Sequence, residues 1–468
     1  MRLVQGRDVL FYGVVIAGFV GDALSTAPLD EVRPLVTTQT WTEQRTDETG
    51  AVRTHAVTAE IWTAAFQQRI DTTKRLEIPA RDEPYYLDGP LVLPTGSTVV
   101  AEPAAEIRLV PGVNTCLIRN VNLVGFADRP VPSDSQPDHD ITIEGGIWTT
   151  TTATTADAPR GNVFGRSNRD RPVHGAHGVI LLHNVRGVRI RNVTVRESRP
   201  FGVHLGNVQD FVVDGLLLDH TYRDGVHVSG PAADGLIRNV RGTSQDDPVA
   251  LTAWDWHQYA PSFGQIERIV IEDVTGSPPA ASPNNAIRLL PGVKRFADGT
   301  LLDCPIRDIT LRRITDITEF KCYDQPNLEV PTGTDSSDPI GRLENIRFEQ
   351  LAFHRPGTIE LHADTDGLVI DGVTLAFDPP PDWRLLAIGP KSMTYKGNQT
   401  DTAKWREIFS PDRDCTVRNV SISDVRRAGA AEDLSLERVV KVIELQPNPD
   451  YPRTTPKGGT GKGRWIRE

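Results

Sequence analysis

The stretches "VRGVRIRNVTV" (185–195), "VQDFVVDGLLL" (208–218) and "AADGLIRNVRG" (232–242) repeat one pattern, with starts 23 and 24 residues apart. Each opens on a polar turn, alternates aliphatic or β-branched residues with others, passes a small polar residue or glycine, and closes on a second short apolar run. Such period-two alternation marks short strands with one buried face. The pattern returns in "IERIVIEDVTG" (266–276), "IRDITLRRITD" (306–316), "LENIRFEQLAF" (343–353), "TDGLVIDGVTL" (365–375) and "RDCTVRNVSI" (413–422). Gaps of 34 to 40 residues between several later starts require insertions. No unit contains a helix long enough for a βαβ crossover. Units of this size, with two or three short strands, stack best as turns of a parallel β-helix around a continuous apolar interior. A propeller would need four strands per blade and blade signatures, and a leucine-rich horseshoe its own leucine spacing; neither pattern is present. The expected fold is all-β, a single-stranded right-handed parallel β-helix.

Upstream, "AEIWTAAFQQRID" (59–71) places Ile61, Trp62, Ala65, Phe66 and Ile70 at helical spacing. It reads as an amphipathic helix capping one end of the solenoid and covering the open strand edge. "LDGPLVLPTGSTVVAEPAAEIRLVPG" (87–112) then reads as the first regular turns. The expected organisation is an N-terminal segment over 1–55 that adds a further strand-forming coil, the β-helix over 56–447, and a mobile basic tail over 448–468. The N-terminal "GRDVLFYGVVIAGFVGDAL" parallels "VRGVRIRNVTVRESRPFGVHL" (185–205) and is read as repeat material, which favours a cytoplasmic over a secreted protein. A secretory signal is the alternative.

The chain has 468 residues, 38% hydrophobic and 24% charged, as expected of a folded, soluble protein. With 39 Gly and 35 Pro against 6% aromatic residues, the composition is that of a turn-rich β-protein. A net charge of −11 argues against a nucleic-acid partner, which needs a basic face. No apolar run is long enough to span a membrane. Cys116, Cys304, Cys322 and Cys415 are scattered, without CxxC spacing, so no structural zinc is expected. They read as buried thiols, with a Cys304–Cys322 disulfide as the alternative.

Chemistry concentrates in "YRDGVHVSGPAADGLIRNVRGTSQDDPVAL" (222–251), which carries Asp224, Asp246 and Asp247. Residues one turn apart in a β-helix lie about 4.8 Å from each other. The 22-residue interval from Asp224 to Asp246 is taken as one turn, which makes neighbours of carboxylates distant in sequence. Acids so close cannot all ionise at equal cost, so one should hold its proton to higher pH. That pairing suits glycosidic cleavage, in which a protonated carboxyl donates to the leaving oxygen and an ionised one activates water. Single aspartates such as Asp210, Asp234 and Asp273 are read as turn residues capping local amides. A calcium site is the other way to use clustered carboxylates.

The segment from "SRPFGVHLGN" through "YRDG" to "SQDDPVALTA" resembles the central motifs of glycoside hydrolase family 28, the polygalacturonases and their relatives. "AFQQRID…IPARDEPYYLDGPLVLPTGSTV" is similar to the N-terminal region of pectin-lyase-like β-helices. The resemblance spans roughly residues 60–300. It implies Asp246 as general acid, with Asp224 and Asp247 holding and deprotonating the attacking water, and inversion at the anomeric carbon. It also places His204 one turn before the acids. Two departures stand out. No Gly-His-Gly motif follows the acid pair, His257 being the nearest stand-in. In "NAIRLLPG" the family's Arg-Ile-Lys signature keeps Arg288 but has Leu290 in the lysine position.

Other candidate substrate-binding residues are His227, Trp254, Trp256 and Lys294. The tryptophans are read either as stacking platforms for sugar faces or as shields for a loop. His174, His177 and Asp255 are weaker candidates. The partner expected is a carbohydrate, with no cofactor and no metal. The activity expected is an inverting, polygalacturonase-like hydrolase; a polysaccharide lyase and a non-catalytic carbohydrate-binding β-helix are the alternatives, since fold alone does not fix function.

Overall fold

The computed structural model describes residues 29–46, 51–113, 115–125, 129–150, 178–254, 262–277, 285–323, 339–389, 414–445 and 461–466. Residues 1–28 lie outside this set, as do His174, His177, Asp255, Trp256 and His257.

The repeats wind into a parallel β-helix. One line of strands runs through Val203 in Val203–Thr221, Val226 in Val226–Ser244, then Val249–Thr252, Ala286–Leu290, Glu319–Tyr323, Thr358–His362 and Leu386–Ile388, each parallel to the next. Its inward residues Leu182, Leu205, Val228, Leu251, Leu289, Cys322, Leu361 and Ile388 stack in register as one buried file. Burying each such aliphatic side chain contributes about 1.5–3 kcal/mol, and every coil contributes again. Phe211 meets a glycine on the next coil: a Cβ on Gly235 would lie 2.2 Å from Phe211 Cζ.

The small polar position in each repeat has a backbone cause. Two residues five apart take up left-handed conformation in every unit, as at Gly187 and Asn192 (φ 72° and 53°), Asp210 and Gly215 (55° and 78°), and Asp234 and Asn239 (59° and 55°). These bends separate the strands of one coil, and Gly, Asn and Asp tolerate them best. Later coils place Arg268, Arg313 and Gln350 in the same conformation, so the coil geometry overrides local preference there.

Outside the core, Arg191, Asp214, Arg238, Glu272, Arg312 and Glu349 stand in register on successive coils with alternating sign. Arg238 Nη2 lies 2.8 Å from Asp214 Oδ2, and Arg312 Nε 2.6 Å from Glu272 Oε2. The part-exposed Arg238–Asp214 pair is worth little, about 0–1 kcal/mol, whereas Glu272 is buried and needs its arginines. A slipped register, however, would oppose like charges and turn inward faces out.

The cap is a helix at Thr63–Thr73, slightly later than expected because residues up to Ile61 belong to a strand. Its Ala65, Phe66 and Ile70 are buried, and Phe66 packs on Tyr85 at 5.3 Å. The described part of 1–55 forms no coil of the solenoid. Thr37–Thr46 and Val52–Ile61 pair antiparallel as a long hairpin, mostly exposed, which offers no repeated inward file. Within the 448–468 tail, Gly461–Trp465 runs parallel to Cys415–Arg427 and antiparallel to Glu444–Leu445. Residues 461–465 of the tail, which composition led us to expect mobile, are thus paired at the last coil's edge; residues 448–460 and 467–468 lie outside the described residues. All four cysteines are buried thiols, and no disulfide joins them. No helix among the described residues is long and apolar enough to cross a membrane.

Candidate active site

The acids lie in the turns that lead into the strand line just described. Gly202 N–H donates to the Asp224 carbonyl at 2.9 Å, and Gly225 N–H donates to that of Asp247 at 2.9 Å. Pairing is constant on both sides of the turn, Thr221 with Ser244 and Val226 with Val249, a step of 23 residues. The one-turn partner of Asp224 is therefore Asp247, not Asp246, because the 22-residue step falls one short of the coil. Asp246 aligns with Arg223. Ser244 Oγ locks the two turns together, accepting Asp246 N–H at 3.2 Å and donating to the Arg223 carbonyl at 2.8 Å. The turns are also tight. A Cβ on Gly225 would meet Leu218 Cδ1 at 2.5 Å and the Pro248 carbonyl at 2.6 Å, which explains the glycine following Asp224.

All three carboxyl groups converge, with one oxygen from each lying within 4.8 Å of the others. Asp224 and Asp247 are buried, at 1% and 0% exposure, while the Asp246 side chain keeps 25%. Solvent therefore reaches the cluster at Asp246.

Outward residues of the strand line supply the surroundings. His204, His227, Ala250, Arg288, Lys321 and Glu360 occupy one register on six successive coils. His227 Nδ1 contacts Asp224 Oδ2 at 2.6 Å, and its ring stacks on Phe201 at 4.1 Å with a 6° tilt. His204 meets His227 edge-on at 4.9 Å, and its Nε2 bonds Ser229 Oγ at 3.1 Å. Arg288 pairs with Asp247 Oδ2 and lies 3.7 Å from Asp246. Lys321 Nζ donates to Asp247 Oδ1 at 3.0 Å. Arg223 Nε is 3.4 Å from Asp246 Oδ2. Asp224 Oδ1 is buried without a hydrogen-bond partner.

These neighbours drive the carboxyls apart in acidity. Burial, then the nearby charges of Asp224 and Asp247, push Asp246 up to about 7. Burial raises Asp224 to about 6, with Arg288 working against the rise and Asp247 adding to it. Burial also acts on Asp247, but Arg288 and Lys321 outweigh it and hold this carboxyl below the ordinary aspartate value. The cluster thus pairs a protonated Asp246 with an ionised Asp247, one residue apart. The same three oxygens are close enough to ligate a hard cation; here Arg288 and Lys321 supply the positive charge.

Of the residues singled out from sequence, Asp224, Asp246, Asp247, His204, His227 and Arg288 come together. Trp254 and Lys294 do not join them. Trp254 follows the far end of Val249–Thr252, is buried to 6% exposure, and carries Lys294 Nζ 4.4 Å over its ring. There it shields a corner also occupied by Phe263, 5.7 Å away. Lys321, Arg223 and Phe201 escaped the sequence reading. "EFKCY" (319–323) matches none of the repeats quoted above, yet Phe320 and Cys322 point inward and Lys321 outward on a regular strand. Its alternation was the available signal.

No family model matches the chain, and no curated protein matches it in sequence. Among solved structures it is similar to the family 28 exopolygalacturonase of Yersinia enterocolitica, at 15% identity over 84% of this chain and 81% of that one, TM-score 0.42. It is similar to the endo-xylogalacturonan hydrolase of Aspergillus tubingensis, at 11% identity over 81% and 91%, TM-score 0.43. It is similar also to the surface adhesin PfbA of Streptococcus pneumoniae, at 10% identity over 77% and 91%, TM-score 0.37. Enzymes and an adhesin stand side by side in this comparison, so function rests on the site.

Proposed function

We propose that this chain is a glycoside hydrolase acting on an oligo- or polysaccharide, with Asp246 as general acid and Asp247, helped by Asp224, as the base that activates water. One observation carries this reading: three carboxyls converge within 4.8 Å, with Asp247 buried against Arg288 and Lys321 while the adjacent Asp246 reaches solvent. Asp246 gives its proton to the glycosidic oxygen as the bond to the anomeric carbon breaks toward that oxygen. A water held by Asp247 and the unpaired oxygen of Asp224 attacks the carbon and releases its proton to the carboxylate. Each proton transfer contributes about 10²–10⁴-fold. Asp246 is the reachable acid, as a donor to a bound substrate must be.

The resemblance to family 28 argues for inversion. The short spacing of the oxygens, within 4.8 Å, is nearer the separation of retaining pairs, about 5–5.5 Å. The anomeric configuration of the first product, followed by NMR, decides between them. Neither Arg288 nor Lys321 suits a lyase base, because Asp247 holds both firmly protonated.

A screen of defined oligosaccharides, with analysis of the ends produced, tests the proposal. New reducing ends without unsaturated sugar support hydrolysis, and their loss in Asp246→Asn assigns it to this site. Unsaturated products would establish a lyase. Binding without cleavage would establish a non-catalytic protein.

A further inference from the structure

Asp247 receives two cations, one at each oxygen: Arg288 at Oδ2 and Lys321 at Oδ1. They come from successive coils, since Arg288 and Lys321 are register partners on neighbouring strands. Lys321 is 74 residues from the carboxylate that it touches, and its side chain is 14% exposed. Arg288 also reaches toward Asp246, at 3.7 Å, so it does not distinguish the two acids by contact alone. Lys321 does, because its hydrogen bond goes to Asp247.

We propose that Lys321 is a positioning residue: from two coils beyond the acid pair it fixes Asp247 as the ionised carboxylate and so leaves the cluster's proton on Asp246. Its consequence for turnover rests on the hydrolase reading above; its effect on the carboxyls does not.

The charges facing Asp247 make the balance explicit. Asp246 is the next residue, and Asp224, with His227 upon it, lies one coil back. Both acids oppose ionisation of Asp247. Arg223 lies beside Asp246. Tyr323 shares the strand of Lys321, as does Glu319, 3.8 Å from the ammonium. Without Lys321, Asp247 would keep Arg288 as its one contacting cation, shared with Asp246, and its hold on the ionised state would weaken. A lysine placed only to grip an anionic sugar would instead affect binding and leave the acids unchanged.

The test is a titration of aspartate side-chain carboxyls by ¹³C NMR in the full chain, with Asp246→Asn and Asp247→Asn for assignment. In the unaltered protein Asp247 should titrate below an ordinary aspartate; titration above it overturns the proposal without any lysine variant. In Lys321→Met the Asp247 midpoint should rise by about one pH unit or more, and Lys321→Arg should restore most of the shift. On a cleavable neutral substrate, Lys321→Met should lower kcat about tenfold or more with KM little changed. A folded Lys321→Met with unchanged Asp247 titration, or a loss confined to KM, overturns the assignment. Should the unaltered protein cleave nothing, the hydrolase reading fails while the titration still decides the role of Lys321.

Discussion

His227 Nδ1 sits 2.6 Å from Asp224 Oδ2, three residues back along the chain, with the imidazole laid flat on Phe201. The bond takes one carboxylate oxygen and leaves the other, Oδ1, buried without a hydrogen-bond partner. Replacing His227 by Leu keeps the stacking bulk and removes the bond. The expected result is a loss of kcat of about tenfold or more with a smaller change in KM, together with about 1–3 kcal/mol of stability for the unmet buried acceptor. Steady-state kinetics and thermal melts on the same preparations check both.

Asp246→Asn should cost about 10²–10⁴-fold in rate and leave the fold intact, since the Asp246 backbone is held by Ser244. Rescue by substrates with good leaving groups, which need no proton, identifies the lost step as acid catalysis. No rescue would mean that Asp246 serves otherwise.

The pH dependence follows from the two raised carboxyls. Activity needs a proton on Asp246, at about 7, and none on Asp224, at about 6, so rates should peak near pH 6–7 and fall on both sides. Stability has its own sign. The folded state holds protons on these acids that the unfolded chain releases near 3.8, so their contribution is present below that value and lost as pH rises toward 7. Asp247 acts oppositely, stabilising above the ordinary value and losing that contribution as pH falls through its lowered one. Asp246→Asn should therefore gain stability relative to the native chain as pH goes from 5 to 8, as read from urea melts at both ends.

Arg288→Met strips a buried carboxylate of its closest counter-ion. Breaking one side of such a pair costs about 3–5 kcal/mol. Adding Asp247→Asn in the same chain should recover much of this loss, because the charge left behind is then gone. Non-recovery would show that Arg288 acts mainly through packing.

Gly225→Ala adds a methyl where the Leu218 side chain and the Pro248 carbonyl already stand. Overpacking of this kind costs about 1–3 kcal/mol. The turn carries Asp224, so activity should fall further than stability. Equal losses would argue that Asp224 tolerates displacement.

What the sequence disclosed was whatever repeats within a coil. The alternation of strands, the small polar residues at the left-handed bends and the meeting of the three acids all follow from local pattern plus a repeat near 23. What it concealed was whatever depends on counting across irregular turns. A one-residue error in coil length paired Asp224 with Asp246 in place of Asp247. The insertion between Arg288 and Lys321 hid a lysine that the short motif around Leu290 lacks. Trp254 lies near the acids in sequence and Lys294 near Arg288, yet the strands Val249–Thr252 and Ala286–Leu290 carry them to their other ends.

The ladder that brings Arg288 and Lys321 to Asp247 also sets a timetable. A chain made from its N-terminus exposes Asp247 first, and Lys321 follows 74 residues later. At about 5–20 residues per second, that is a wait of roughly 4–15 s. During it, the coil bearing the acids has its neighbours behind it but not its cations ahead. The nascent solenoid must carry that segment open to water, or closed over a protonated acid, until the later coils arrive. Assembly of the site is thus timed by its last-made cation.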